Sequence, residues 1–514
     1  MPEYLHPGVY IEEIERGPKP IEGVPTSTAA FVGETERGSI KPTLVTSYKD
    51  YLRYFGGVFG DDKYMPYAVN GFFENGGKRM FVCRVVDQGA AKASVAFGNF
   101  TVEAVGPGVW GNRVYAQIDD SKTTRPDGAG GAVPVGFRLR LAYYASTPAQ
   151  DPKAWFDDLT KPPRPAFSET FEDLVVDENS PDYFDKRLRD SSSLATLVRG
   201  AAAAAGELPA REFHPLAGGG NGTGPLDSSD FNGVVDAQRA EIQGLAALRL
   251  DPYREVSLVY APGVVFDIAR EVVTHCELLR YRFAVVDAAK TTVVSTFEPR
   301  NEVTDTKYAA LYYPWIWISD PQTGARKLMP PGGHVLGIYG RTDSERGVFK
   351  APANEIVRGA LELQVDTDDN TQDSLNPKGI NAIREFPGRG IRVWGARTLS
   401  SDGLWKYVSV RRLFIFLERS IYEGTQWVVF EPNDDRLWAR VVDTIRLFLR
   451  GQWRLGALFG RTEQEAFFIT CDRTTMTQDD ILNGRLICEI GIAPVRPAEF
   501  VVFRIFQNTA EAQR

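Results

Sequence analysis

Two hydrophobic rhythms alternate along most of this chain. Short, largely apolar runs stand at Thr28–Gly33 (TAAFVG), Leu44–Thr46, Arg79–Val86, Val256–Tyr260 and Phe283–Asp287. Runs of this kind are typical of strands buried on both faces of a sheet. Between them, apolar positions fall at helical spacing over Tyr48–Phe55, Tyr64–Glu74 and Val265–Leu279. Asn75-Gly76-Gly77 closes the second of these helices, and Ser228, Ser229 and Asp230 are capping candidates for another over Phe231–Leu248. Strands alternating with helices of such lengths predict parallel β-α-β units. Tyr308–Ile318 (YAALYYPWIWI) is a further β-prone run.

The rhythm changes between Val95 and Ala210. Phe97–Val105, Arg113–Ile118 and Gly136–Tyr144 read as strands, separated by turns such as Asp127-Gly128-Ala129-Gly130-Gly131. This predicts an inserted, mainly-β domain. Lys161–Pro165 (KPPRP) suits no regular element, and Ala201–Ala205 extends a helix. The expected plan is an N-terminal arm (1–27), an α/β domain in two pieces (28–94 and 211–350), and the β insertion (95–210) between them. An α+β domain (351–498) and a C-terminal arm (499–514) complete it.

Both termini look like strands without a home. In PGVYIEE (Pro7–Glu13) and the residue after it, Val9, Tyr10, Ile11, Glu12 and Ile14 form an extended arm, and Gly17-Pro18-Lys19-Pro20 is a stiff connector. In Glu499–Gln507 (EFVVFRIFQ), Phe500, Val502 and Phe506 share one face of a strand, and Val501, Phe503 and Ile505 the other. A strand apolar on both faces aggregates unless it is paired and covered. It is either a central strand of its own domain or one added to the sheet of a neighbouring copy. Two such strands at opposite ends of one chain suit a heterologous assembly that does not close.

A helix is predicted over Asp434–Gly451, capped by Asn433 or Asp434. Leu437, Trp438, Val441, Val442, Ile445, Phe448 and Leu449 fall on one side of it. Arg436, Arg440, Arg446 and Arg450 collect on the other, with Asp443 among them. This basic stripe is either a docking face for an acidic partner or a solvated face with local Asp443–Arg446 pairing.

Composition narrows the function. At 514 residues the chain exceeds one core and predicts about two to four domains. Its 43% hydrophobic and 25% charged residues are those of a globular protein. A formal charge of −8 argues against a nucleic-acid binder. There is no signal-peptide pattern and no uncharged apolar run of the ~20 residues a membrane span needs, so folding in the cytoplasm without membrane insertion is expected. Cys83, Cys276, Cys471 and Cys488 form no CxxC, which predicts buried, reduced thiols.

Catalytic and ligand motifs fail one by one. Gly218–Gly224 (GGGNGTG) is followed by Pro225-Leu226-Asp227, not the Lys-Ser/Thr of a phosphate loop, and reads as a flexible loop. Asp366–Asp373 (DTDDNTQD) has Thr371 where a calcium loop needs Gly and, further on, Pro377 where it needs Glu; a solvated acidic loop is expected. His6, His214, His275 and His334 form no HExxH pair, so neither a metal nor a cofactor is expected. His275 lies in a helical pattern, and Ser295 in a β-prone stretch with no GxSxG around it. No catalytic residue is assigned, and the expectation is that the chain is not an enzyme.

Long phrases carry a family resemblance. They are GINAIREFPGRGIRVWGARTLSSDGLWKYVSVRRLFIFLERSI (Gly379–Ile421), TQWVVFEPND (Thr425–Asp434), FLRGQWRLGALFG (Phe448–Gly460) and APVRPAEFVVFRIFQ (Ala493–Gln507). With PGVYIEE, TSTAAFVG and PGVWGNRV (Pro107–Val114), they resemble the contractile tail sheath protein family. Met476 departs from it, standing where an Asn is expected. The resemblance implies a subtilisin-like α/β middle domain without an evident triad, and subunits stacked as six-membered rings or a helical array around an inner tube. Baseplate and terminal cap proteins would be further partners, and Arg436, Arg440, Arg446 and Arg450 would face the tube. The two arms would add strands to a neighbour's C-terminal sheet. Such a sheath assembles extended in the bacterial cytoplasm and shortens irreversibly, driving the tube through a target envelope. It forms part of a virion tail or of a released or anchored tail-like particle. A static tail or capsid component and a subtilisin-like hydrolase are the alternatives.

Overall fold

The computed structural model describes residues 20–126, 130–189, 191–233 and 242–504. The chain divides into two compact units. The larger is Pro25–Arg411; the smaller combines the segment up to Val24 with Arg412–Arg514.

A nine-stranded sheet organises the larger unit. Its strands are β1 (Ala29–Gly33), β2 (Thr43–Val45), β3 (Met80–Arg84), β4 (Leu258–Tyr260), β5 (Phe283–Asp287), β6 (Ala309–Tyr313), β7 (Glu355–Ile356), β8 (Ile380–Phe386) and β9 (Gly390–Val393). They lie in the order β7-β9-β8-β6-β5-β4-β1-β3-β2. The stretch β3-β1-β4-β5-β6-β8 is parallel, and β2, β7 and β9 pair antiparallel at its flanks. Every residue of β1, β3, β4, β5 and β6 is buried, which explains why these strands read as unbroken apolar runs.

Helices α1 (Tyr48–Phe55), α2 (Met65–Glu74), α3 (Phe266–Leu279) and α4 (Gly332–Arg346) accompany the sheet. Helices α2 and α4 cross with almost no side chain between them. A Cβ on Gly333 would lie 2.5 Å from the Ala68 carbonyl oxygen, and one on Gly337 2.4 Å from that of Phe72. Bare backbone is therefore required at both positions.

Between β3 and β4 the chain builds two main antiparallel sheets, besides a two-stranded ribbon of Thr124–Pro126 and Ala132–Pro134. One has four strands, in the order Phe167–Leu174, Phe137–Tyr143, Val114–Asp120, Phe213–Pro215. The other orders Ala195–Arg199, Phe100–Ala104 and Ser94–Phe97. Both face one core that includes Phe100, Val102, Trp110, Leu139 and Leu141. PGVWGNRV supplies a 3-10 turn, Val109–Arg113, that drives Trp110 into this core while its indole N–H donates to the Pro107 carbonyl at 3.0 Å.

Several elements differ from expectation. The helix over Phe231–Leu248 is not continuous: Ser228–Asn232 stops at Gly233, whose φ is +70°, and Gly244–Ala247 is a second short piece. Residues 234–241 lie outside the described residues. The N-cap is Asp227, in a capping box with Asp230. Ala201–Ala205 is not helical, since five alanines between Gly200 and Gly206 are too few to nucleate a turn. Tyr308–Ile318 breaks at Pro314, which cannot donate to a ladder. Ile316–Ser319 joins a separate three-stranded sheet with Arg326–Met329 and Ala360–Leu363. The acidic stretch at Asp366–Asp373 is a helix start, Asp368 capping Asp369–Leu375 by accepting from the Thr371 amide at 2.7 Å. Strands β8 and β9 extend the large sheet, so the compact units part at Arg411, well beyond the Pro352 where the sequence suggests a new domain.

The carboxyl end of β5 locks α4 to the sheet. Asp287 Oδ1 accepts from the Gly332 amide at 2.9 Å and Oδ2 from the Tyr260 hydroxyl at 2.6 Å. Complete burial nonetheless pushes this carboxyl up from 3.8 to about 6. The folded chain therefore takes up a proton near pH 6, and the unfolded chain only near 3.8. The resulting stabilisation, on the order of 3 kcal/mol, is full below the lower value and is lost as pH rises through the higher one. Urea midpoints measured across this range should show that pH dependence in the wild type, and Asp287→Asn should flatten it.

Candidate functional site

The smaller unit carries the features that look outward. Helix α5 (Val408–Gly424) leads into it, followed by α6 (Asp435–Arg454) and a hairpin of β10 (Phe467–Thr470) and β11 (Glu489–Ile492). The N-terminal segment lies against the last turns of α5. The Val24 amide donates to Ser420 Oγ at 3.1 Å, and Ile21 fills the space that a Cβ on Gly424 would take, 2.6 Å away. Val9, Tyr10, Ile11, Glu12 and Ile14 of the expected N-terminal arm lie outside the described residues, as does Ile505.

Helix α6 begins where Asp434 accepts from the amides of Arg436 and Leu437. Its buried face is Leu437, Trp438, Val441, Thr444, Ile445, Phe448 and Leu449, with Phe448 packed 6.0 Å from the Phe416 ring. Val442, expected on this face, is only half-buried, and Thr444 takes the inner position by bonding back to the Arg440 carbonyl at 2.8 Å.

The opposite face is less uniformly basic than its sequence suggests. Arg450 Nε donates to Glu463 Oε2 at 2.7 Å, and Arg446 stands 3.2 Å from Asp443 and 3.7 Å from Glu463. Glu463 was invisible to the helical pattern because it arrives from the next short helix, Glu463–Ala466. Arg440 lies 4.6 Å over the Trp427 ring and 3.7 Å from Glu431. Of the four arginines, only Arg436, exposed at the N-terminal end of the stripe, has no ion pair among the described residues.

The C-terminal arm has no partner strand among the described residues. Phe500, Val501, Val502 and Phe503 are 72%, 66%, 77% and 84% exposed and join no ladder. Nearby in sequence, β10 pairs only with β11, so its other edge has no ladder among the described residues. Phe468 on β10 is more than half exposed, as are Tyr422, Leu455, Phe459 and Leu482. Phe430 is wholly exposed and sits at φ +70°, a region that bulky residues seldom occupy.

The catalytic candidates are held in structural roles. His275 is buried in α3, and its Nε2 accepts from Arg282 Nη1 at 2.7 Å. Burial, with that guanidinium beside it, lowers the imidazole to about 3, far from a general base at neutral pH. Arg282 is itself fully buried and donates to the carbonyls of Leu248, Tyr253 and Val256. Ser295 lies in an exposed turn, not the strand its neighbours suggest. A cleft of about 640 Å³ opens at the carboxyl ends of β1, β3 and β4, where open α/β sheets often bind ligands. Its charged groups face one another: Glu34 pairs with Lys63, and Arg84 donates to the carbonyls of Gly38 and Pro107. The Gly218–Gly224 loop is stitched to Ala91 and Asn112 by backbone and side-chain bonds, and Asp227 occupies the amide-rich helix start that a phosphate would need. Among the described residues no cluster of metal-ligating side chains is present, and no helix is long and apolar enough to cross a membrane.

These features place the chain in a class: mixed α/β proteins with the architecture of contractile sheaths. The structure superposes on the sheath of an extracellular contractile injection system, the PVC complex in its contracted state, with a TM-score of 0.58 at 24% identity over 100% of both chains. The contracted helical sheath of the anti-feeding prophage gives 0.59 at 24% identity, over 98% of this chain and 99% of that one. Residues 238–399 match the phage tail sheath protein central domain, and residues 400–508 match the phage tail sheath C-terminal domain. The chain belongs to the phage tail sheath family. The tail sheath protein of Vibrio phage KVP40 is 23% identical over 211 residues, 40% of this chain and 31% of its own. That of Burkholderia phage BcepMu is 26% identical over 212 residues, 40% of this chain and 43% of its own. The match thus spans less than half the length of these curated relatives.

The buried face of α6 carries the hairpin, so its loss should be felt there. Leu449→Ala, at a fully buried position, should cost about 3 kcal/mol. Hydrogen exchange should then quicken at the β10 amides while those of β5 keep their protection.

Proposed function

We propose that this chain is the structural subunit of a contractile sheath, polymerising around an inner tube in an extended, metastable state and contracting to drive that tube through a target envelope. The observation that carries the reading is the C-terminal arm. Phe500–Phe503 are apolar on both faces of a would-be strand, exposed, and without a ladder among the described residues. The open edge of β10 is the matching acceptor, and strand addition from a neighbouring copy would satisfy both. Phe500, Val501, Val502, Phe503 and Ile505 then form the C-terminal connection, and Val9, Tyr10, Ile11, Glu12 and Ile14 the N-terminal one. Exposed Phe430, Leu455, Phe459 and Leu482 would be covered by the same packing.

The larger unit would act as a rigid body with subtilisin-like α/β organisation and a mainly-β insertion, in a non-enzymatic role. Contraction then needs no nucleotide or cofactor; its energy comes from extra interface, at about 25 cal/mol per Å² of apolar area buried. The tube would be met by α6, through Arg436 and Arg440, with baseplate and cap proteins at the polymer ends. Assembly would take place in the bacterial cytoplasm, and the product would be a virion tail or a tail-like particle. The full-length similarity to sheaths solved in contracted states favours this over a static tail component.

Three experiments test it. Removing the residues after Ala498 should leave a folded monomer that forms no sheath by electron microscopy, whereas intact polymers should shorten and widen under mild denaturant or acid. Sheaths built by the truncated chain, or intact ones that never shorten, would refute strand exchange or contraction respectively. Reversing Arg436 and Arg440 to Glu should abolish co-assembly with the tube protein and still permit empty sheaths.

A further inference from the structure

The β10–β11 hairpin contains a second, covalent device. Its register pairs Phe467 with Ile492, Phe468 with Gly491, Ile469 with Ile490 and Thr470 with Glu489. One step further, the same register sets Cys471 directly opposite Cys488. The Ala493 amide donates to the Ala466 carbonyl at 2.9 Å, which makes Ala466 and Ala493 a hydrogen-bonded pair. Since hydrogen-bonded and non-hydrogen-bonded pairs alternate along an antiparallel ladder, Cys471 and Cys488 occupy a non-hydrogen-bonded site. At such sites the Cα atoms approach to about 4.5 Å, within the span a disulfide bridges. Each thiol perturbs the titration of the other, as groups placed opposite one another do.

We propose that Cys471 and Cys488 form a reversible cross-strand disulfide that staples this hairpin when the protein meets a small-molecule disulfide oxidant such as oxidised glutathione. Cys488 is the half-exposed partner and reacts first; Cys471 is buried. The Cys488 thiolate attacks one sulfur of the oxidant, releasing one glutathione thiolate and leaving a mixed disulfide. The Cys471 thiolate then attacks the Cys488 sulfur and releases the second glutathione. Two protein thiols and one glutathione disulfide thus become one protein disulfide and two glutathione thiols, which keep the two protons. Burial raises both protein thiols, so the exchange is slow and the pair stays open where glutathione is held reduced. An isolated two-stranded hairpin is marginal, and a link closing the excursion Asp472–Ile487 restrains the place where it would fray. The other two thiols have no such partner: Cys83 is fully buried against the Gly244 carbonyl in the larger unit, and Cys276 is fully buried in α3.

The test uses the full chain incubated with oxidised glutathione, then blocked with an alkylating agent and mapped by mass spectrometry. The expected product is an intrachain Cys471–Cys488 link, with Cys83 and Cys276 unlinked and unlabelled until the chain is unfolded. Amide exchange in β10 and β11 should slow about tenfold, return on reduction, and be unaffected by glutathione in Cys488→Ser. Persistence of glutathione on Cys488, dimers joined through Cys488, or two thiols still open to the alkylating agent would each overturn the proposal.

Discussion

A strand's backbone must place its hydrogen bonds somewhere, and its apolar faces must leave water; Phe500–Phe503 do neither among the described residues. Phe500, Val501, Val502 and Phe503 expose both faces, and no ladder among the described residues receives them. Helix formation would satisfy the backbone but is poorly supported by a run of β-branched and aromatic residues. Remaining bare invites uncontrolled edge-to-edge pairing. A specific acceptor resolves the conflict, and β10 offers an edge of the right kind within each copy. In the proposed assembly, a donor strand and an acceptor edge that are not paired with one another would each be completed by a neighbouring copy.

The larger unit shows the contrasting condition. Several of its buried polar groups close on one another. Asn381 donates to the Leu311 and Arg397 carbonyls and accepts from the Arg397 amide, tying β8 to β6. Asn75 does the same at the end of α2, donating to the Gly71 and Arg358 carbonyls and accepting from the Arg358 amide. Arg282 satisfies three carbonyls, and Asp287 fixes the start of α4. Networks satisfied in this way specify one arrangement, because displacing any member strands the others in a low-dielectric interior. Rigidity of this kind suits a body that moves as a whole, whereas open edges and exposed aromatics suit surfaces that exchange partners.

How far the sequence revealed this depended on the range of the interactions involved. Strands buried on both faces were legible as apolar runs, and α1, α2, α3 and α6 were placed within a few residues by periodicity and caps, because those signals are local. Breaks were less legible. YAALYYPWIWI reads as one β-prone run, and the apolar pattern hid that Pro314 divides it between two sheets. Phe167–Leu174 was overlooked as a strand because its sequence, FSETFEDL, is that of a half-wet edge. The basic stripe on α6 was read correctly as a stripe, but its charge was overestimated: Glu463 lies in another element, and only folding brings it to Arg446 and Arg450. The opposition of Cys471 and Cys488 was hidden for the same reason, since spacing along the chain carries no register.

The division of charge on α6 bears on how a sheath could grip and release a tube. Arginines already tied to Glu463 would have to lose that partner to bind another, and exposed ion pairs contribute little net energy in either setting. Arg436 has no ion pair among the described residues and Arg440 stands 3.7 Å from Glu431, so uncompensated attraction is confined to the first turn of the helix. Charge complementarity of this exposed kind sets register and encounter rate more than affinity, and it weakens with salt. In the proposed assembly, a weak, screened contact to the tube alongside backbone ladders between sheath subunits would give an order to what yields first. Charged contacts would break during sliding, while main-chain bonds, indifferent to the side chains passing them, would persist. A contact that gripped the tube through buried apolar area would instead resist the movement in proportion to that area, which is a physical reason for α6 to turn its apolar face inward and its arginines out.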